Sequence, residues 1–366
     1  MRTCQPISLP EPCTWLPRQE LGLEDIEPER VLVIKPSALG DVVQALPVLG
    51  MLRKRFAGAQ LAWVIKSNLA QLLLRHPQLD QVLHWEHRCG TWQGFRSLLR
   101  QVRRGRFDLV IDLQGLFRTG LLCWASGARY RVGFSNAREG ARFSYTHRVL
   151  IPTRDLPALV KYVQVARALG CRGEVPRAVI PLRGEDVAWA RAQLARLPRP
   201  VVAVHPGAQW PTKRWPAGRF TQALREVQAR TGAGVVLLGG PGEEAICAQV
   251  ARDLDGIVLH LGGKTSLLQL AAVLQQSQVL LSGDSGPMHL AAALGTPVVA
   301  LFTCTSPLRA GPHGPRHRVL AAQVPCASSY RKRCGRMICM DAIAVEQVAQ
   351  SLMEQLSRWI PQRRAG

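Results

Sequence analysis

Four apolar, β-branched runs in the second half of the chain stop at polar turns and lead into helix-patterned segments. VVAVHP, GVVLLGG, IVLHLGG and QVLLSGD are followed in turn by RFTQALREVQARTG, EEAICAQVARDL, SLLQLAAVLQQ and PMHLAAALG, and PVVALF closes the series. Such runs read as buried strands, and their alternation with helices indicates a parallel sheet covered on both faces. The first half repeats the pattern. VLVIKP (31–36), QLAWVIK (60–66), VLHW (82–85) and DLVIDLQG (108–115) read as strands. DVVQALPVLGMLRKRF (41–56), a Leu-rich stretch at 69–75 and the basic FRSLLRQVRRGRF read as helices between them. Pro47 inside the 41–56 segment predicts a kink. The pattern therefore predicts the α/β class, with two αβ halves leaving a cleft between them. Their expected limits are 30–195 and 196–342, after a flexible extension at 1–29 and before an amphipathic helix within 343–366.

At 366 residues the chain is long enough for two domains. It has no run of about 18 uncharged apolar residues, so no membrane-spanning helix is expected. The Pro-broken N-terminus has no continuous apolar stretch and does not read as a signal peptide. Ten cysteines at irregular spacings are expected to be reduced thiols, several of them core residues. Cys326, Cys334 and Cys339 form the densest cluster, and with His317 they supply a zinc-type donor set, but the spacing fits no standard finger. No metal site is expected.

Net charge is +22 and unevenly spread. From Arg88 to Arg148 there are twelve Arg and no Lys against Asp108, Asp112 and Glu139. From Arg199 to Ala300 eight basic residues face six acidic ones, and from Arg309 onward ten face three. This asymmetry points the first half toward something anionic; the plain alternative is a set of solvated Arg faces. The charge also raises nucleic-acid binding as a class, but no zinc-finger or RNP-type aromatic motif supports it.

Ligands of open α/β sheets bind beyond the carboxyl ends of the strands, so the polar turns are the candidate sites. In SALGDVVQ, Asp41 starts a helix; it serves either as a cap or as a base for an acceptor hydroxyl, ionised by the helix terminus. In HPGAQWPTKRWP, backbone N–H groups after Gly207, with Lys213 and Arg214, suit a phosphate; alternatively Trp210 and Trp215 anchor a surface loop. In GGPGEEAIC, Glu243 or Glu244 accepts from ribose hydroxyls, or is a first-turn helix acid. In GDSGPMHLAAALG, the N–H groups of Ser285 and Gly286 at a helix start make an anion site, and Pro287 suits the first turn. Asp284 would repel a bare phosphate and fits neutral sugar hydroxyls or an ordered turn instead. His289 fits a structural hydrogen bond. LGGKTS (261–266) lacks the first glycine of a Walker loop. Asp253-Leu254-Asp255 ends a helix, the wrong context for a metal-binding Asp-x-Asp. No GxGxxG occurs, which argues against a dinucleotide dehydrogenase.

Seven segments in order resemble the glycosyltransferase family 9 heptosyltransferases: SALGDVVQALP, DLVIDLQGLFRTG, HPGAQWPTKRWP, GGPGEEA, GKTSLLQLAAVL, GDSGPMHLAAALGTPVVALF and the closing Cys cluster with CMDAI. The resemblance runs from Val31 to about Ile360 and implies a GT-B fold, two Rossmann-like domains facing across a cleft, whose final helix returns toward the N-terminal domain. It implies inverting, metal-independent transfer of heptose from ADP-heptose to a lipopolysaccharide inner-core acceptor, with no cofactor. Asp41 aligns with the family's proposed base, Lys213 with its diphosphate lysine and Asp284 with its sugar-contacting aspartate. Ser285, Gly286 and Met288 fall in the diphosphate turn, and Glu243 or Glu244 corresponds to the ribose acid. Thr265 falls in a donor-side segment, and Gln114 and Arg118 in an acceptor-side one. The implied partners are a nucleotide-sugar donor and an anionic glycolipid, met by a monomer in the cytoplasm at the inner face of the membrane. A relative using another nucleotide sugar, or lacking activity, is the alternative.

Overall fold

The structure is a computed structural model describing residue 19 and residues 21–86, 91–153 and 155–359. The chain divides between Pro181 and Leu182 into two compact units. The first contains β1 (Arg30–Ile34), α1 (Leu39–Arg55), β2 (Gln60–Lys66), β3 (Gln81–Trp85), α2 (Thr91–Arg104) and β4 (Leu109–Asp112). It continues with α3 (Phe117–Ala125), β5 (Tyr130–Phe134), β6 (His147–Val149) and α4 (Ala158–Ala168). The second opens with α5 (Gly184–Leu194), β7 (Val201–His205), α6 (Ala217–Thr231), β8 (Gly234–Leu237), α7 (Glu244–Arg252) and β9 (Val258–His260). Then come α8 (Leu267–Gln276), β10 (Val279–Gly283), α9 (Gly286–Leu294), β11 (Val298–Phe302), α10 (Pro307–Ala310), β12 (Arg318–Ala321), α11 (Ile338–Asp341) and α12 (Val345–Leu356).

Among the described residues both sheets have six strands, in the orders β3-β2-β1-β4-β5-β6 and β12-β11-β10-β7-β8-β9. Every strand pair is parallel. Counted from its own first strand, each sheet has the doubly wound order of a dinucleotide-binding fold, with its reversal between first and fourth strands. Those reversals lie between β1 and β4 and between β7 and β10. The central strands are largely apolar because helices cover both faces; β7, β10 and β11 are buried at every position. Phe95, Leu98 and Val102 of α2 and Leu122 of α3 close one face of the first sheet over Ile34, Val64 and Val110. Trp215, Phe220, Leu224 and Leu352 belong to the core of the second unit, where each fully buried large side chain contributes roughly 1.5–3 kcal/mol.

Three expectations change. The boundary precedes α5 rather than falling at 195/196, because α5 packs on α8. The apolar stripe of α12 (Val348, Ala349, Leu352, Leu356) is buried in the second unit's core, against α6; residues beyond 359 lie outside the described part. The Leu-rich stretch forms a 3-10 turn, Ser67–Leu72, in place of an α-helix. The described part of the N-terminal extension is tied down: Leu23 is fully buried, Arg55 donates to the carbonyls of Glu24 and Ile26, and Gln19 exchanges two hydrogen bonds with Leu150. Pro47 sits inside α1, which continues through it.

Candidate active site

In the first unit, the sheet reversal opens between the ends of β1 and β4. The chain leaves β1 through Lys35 and enters α1, where Asp41 occupies the third helical position. Asp41 Oδ2 accepts from the Ala38 N–H at 3.4 Å, a long bond, and the side chain stays 43% exposed. The cap is therefore real, yet the carboxylate still faces solvent. The Lys35 ammonium lies 3.6 Å from Asp41 Oδ2 and donates to Gln114 Oε1 at 2.9 Å. Lys35 itself is buried. Burial pushes its ammonium below the ordinary lysine range, opposed by Asp41 and Asp112. Such a cation is retained only where carboxylates compensate its lost hydration.

Asp112 ends β4 and is fully buried. Its Oδ1 accepts from the N–H groups of Gln114 and Gly115, and its Oδ2 from the Tyr145 hydroxyl at 2.7 Å. Burial pushes its pKa up against these bonds. Asp112 thus fixes the loop that carries Gln114. The structure brings Asp41, Lys35 and Gln114 into one hydrogen-bonded group. Arg118 stands apart, exposed on the first turn of α3 with no bond to that group among the described residues.

In the second unit, Lys213 follows β7 and Asp284 follows β10, the two strands flanking the reversal. Lys213 Nζ donates to Asp284 Oδ2 at 2.6 Å, and the pair is 17% and 10% exposed. The same ammonium lies 4.5 Å from the Trp210 ring centroid. Sequence reasoning missed this pairing, which changes the expected role of Asp284: its carboxylate is first a counter-charge for Lys213. Gly283 is required here because a Cβ would come within 2.8 Å of the Lys213 carbonyl. Trp215 is the packing anchor of this loop, buried edge-on to Phe220 and donating to the Met340 carbonyl. Arg214 Nε donates back to Ala208 O at 2.7 Å, and its charge acts on Glu243.

Ser285 precedes α9, and its Oγ bonds Ser282 Oγ at 2.8 Å rather than capping the helix. The first-turn N–H groups, Gly286 among them, have no intrahelical acceptor. Met288 lies in the first turn of α9, and its side chain is fully buried. His289 is buried within α9.

The two acids after β8 are separated by their partners. Glu243 Oε2 bonds His205 Nε2 at 3.1 Å and accepts from Gly240 N–H at 2.8 Å. Burial raises its pKa, but the His205 bond and charge and the Gly240 N–H outweigh it and hold the carboxyl below the ordinary range. A Cβ at Gly207 would run into this carboxylate, so a larger residue there would push Glu243 from its place. Glu244 is exposed; its Oε2 accepts from Gly242 N–H, and its other carboxylate oxygen approaches Gly263 in the loop leading to Thr265 and α8. Thr265 is half-buried one residue before the Ser266 cap of α8.

Cys326, Cys334 and Cys339 line one cavity with Cys304, whereas His317 lies with His313 and His289. Among the described residues no group of three or more His, Cys, Asp or Glu is arranged to hold a metal ion. Lys35 was also missed by sequence reasoning; its signal was a lysine closing an otherwise apolar run.

Comparison with known proteins bears on the family and the fold. The glycosyltransferase family 9 (heptosyltransferase) profile matches residues 95–337. Lipopolysaccharide heptosyltransferase 1 of Pseudomonas aeruginosa is 30% identical over 319 residues, covering 83% of this chain and 87% of that protein. A family 9 glycosyl transferase structure from Veillonella parvula superposes with a TM-score of 0.79 at 24% identity, covering 93% of this chain and 99% of that one. The E. coli heptosyltransferase WaaC, solved with ADP, gives 0.70 at 23% identity, covering 89% and 99%. These likenesses establish the fold as two Rossmann-like units of the GT-B kind. With most of its length inside the family profile, the chain belongs to glycosyltransferase family 9, the heptosyltransferases, and is a glycosyltransferase.

Proposed function

We propose that the chain transfers heptose from ADP-heptose to a lipopolysaccharide inner-core glycolipid, with inversion and without a metal ion. The observation that carries this reading is the Lys213–Asp284 pair at the reversal of the second sheet, beside the start of α9. The name of the Pseudomonas relative supports the acceptor class, and ADP in the WaaC structure supports the donor nucleotide.

In this reading the second unit binds the donor. Lys213 and the first-turn N–H groups of α9 meet the negative charge that grows on the leaving diphosphate, a preorganised electrostatic contribution. As the diphosphate engages Lys213, Asp284 is released to accept from a sugar hydroxyl. Glu243 is committed to His205 and Gly240, so Glu244 is assigned to the ribose. The first unit binds the acceptor. Asp41 takes the hydroxyl proton as the new bond forms, and Lys35 with Gln114 holds its orientation. Arg118 is assigned to an acceptor phosphate.

The exposed aromatic residues Trp92, Phe117, Trp124 and Phe143 of this unit, set among arginines, suit a monomer resting on an anionic membrane from the cytoplasmic side. Among the described residues no helix is long and apolar enough to cross a membrane.

Calorimetric titration with ADP and UDP tests the donor assignment. ADP is expected to bind more tightly, and Lys213→Ala to weaken it by roughly 10–100-fold, the value of a charge-assisted bond. Preference for UDP, or unchanged ADP affinity in the variant, overturns the assignment.

A further inference from the structure

The segment between β12 and α11 is not used by the proposed reaction, yet it holds the densest thiol chemistry of the described chain. A cavity of about 520 Å³ is lined by Cys304, Cys326, Cys334 and Cys339 together with Arg331 and Arg336. Cys304 and Cys339 are buried, whereas Cys334 is half-exposed. The Cys334 sulfur accepts from the N–H groups of Met337 and Arg336, and with the positive charge of Arg331 and Arg336 these hold its thiol below the ordinary cysteine range. Cys339, by contrast, is pushed up by burial and by its neighbouring sulfurs. The cavity therefore contains one sulfur disposed to react as thiolate, at a mouth lined by guanidinium groups.

The same segment is tied to the donor loop. Thr212 Oγ1 donates to the Arg331 carbonyl at 2.6 Å, and Thr303 Oγ1 donates to the Thr212 carbonyl at 2.6 Å. The Tyr330 N–H donates to the Cys304 carbonyl at 2.8 Å. Lys332 lies 5.3 Å from the Trp210 ring that Lys213 also contacts. Thr212 itself lines the cavity and precedes Lys213. Ser328, Tyr330 and Met337 are non-glycine residues with left-handed backbone (φ of 59°, 55° and 41°), so the segment is held in sparsely populated conformations by these contacts.

We infer that this pocket is a modification site for small anionic disulfides, with Cys334 as its nucleophile, and that occupancy there weakens the donor site through Thr212. The Cys334 thiolate attacks one sulfur of the disulfide, a new S–S bond forms, and the other half leaves as a thiolate that takes a proton from solvent. Cys334 is oxidised and the departing sulfur is reduced, so the exchange needs no further oxidant. The arginines select carboxylate-bearing disulfides by charge. The coupling to the donor site, unlike the modification, rests on the functional reading above.

The test uses the full chain and two probes, anionic glutathione disulfide and cationic cystamine, followed by intact mass and peptide mapping. Cys334 is expected to be modified first, with the anionic probe faster by about tenfold or more at low salt, and that advantage lost in the Arg331→Glu/Arg336→Glu variant. Cys334→Ser is expected to remove the adduct while leaving ADP binding of the untreated protein unchanged. ADP titration of the modified protein is expected to show an affinity about fivefold or more weaker, restored by a reducing agent. Labelling spread evenly over the cysteines, or cystamine reacting as fast as glutathione disulfide, overturns the site. A specific adduct with unchanged ADP affinity overturns the coupling. If the untreated protein binds no ADP, the donor assignment fails, and the labelling result still decides the site.

Discussion

Acidification from about pH 7.5 to about pH 5 is expected to destabilise the second unit through two imidazoles beside α9. Both ring nitrogens of His313 and Nδ1 of His317 are buried without a partner among the described residues. Burial, with His289 and His317 nearby, pushes His313 down to about 4 from 6.5. Burial, with Arg316 and His289 nearby, pushes His317 to about 4, although a bond to the His313 backbone resists. In each case the unfolded chain binds the proton more readily than the folded one. Stability is therefore fully present above 6.5 and is lost as pH falls through the window from 6.5 to about 4. At about pH 5 each imidazole costs about 2 kcal/mol, and the pair about 4, at 1.36 kcal/mol per unit. That is a large share of a total stability of roughly 5–15 kcal/mol. His76 and His147 are also lowered by burial, so the informative quantity is the difference from a His313→Gln/His317→Gln variant. Urea midpoints measured across this range should fall more steeply for the wild type than for the variant. Equal slopes would refute the reasoning, because the buried pair would then carry no proton-linked cost.

Two substitutions probe the Lys213–Asp284 pair and the donor role proposed for it. Gly283→Ala places a Cβ within 2.8 Å of the Lys213 carbonyl; it should displace that loop, cost roughly 1–3 kcal/mol of stability and weaken ADP binding, as read by melting and titration. Asp284→Asn removes the counter-charge held 2.6 Å from Lys213; ADP binding should be kept or tightened while sugar transfer is lost, a split visible in parallel titration and turnover assays.

Strand–turn–helix alternation was legible because strands of a parallel sheet, covered on both faces, keep an apolar run such as VVAVH at every position. The same runs located Asp41, Lys213 and Asp284 at strand ends, where the sheet order reverses. The partnerships were not legible. Lys213 and Asp284 are 71 positions apart, and nothing local announces their contact. Lys35 reads as a solvated strand end until the fold buries it between Gln114 and Tyr162. The side chain of Met288 follows from the rotation of α9, which the turn sequence leaves open. The Pro/Arg stretch near 196–200 marked the unit boundary too late, since α5 belongs by packing to the helices that follow it.

Asp41→Asn tests the central claim most directly, with ADP-heptose as donor, a heptose-acceptor glycolipid, and acceptor-dependent ADP release as the readout. The variant is expected to bind ADP as the wild type does and to lose turnover by about 100-fold or more, the range for a missing general base. Wild-type turnover in the variant, or no acceptor-dependent release by the unaltered protein, would contradict the account.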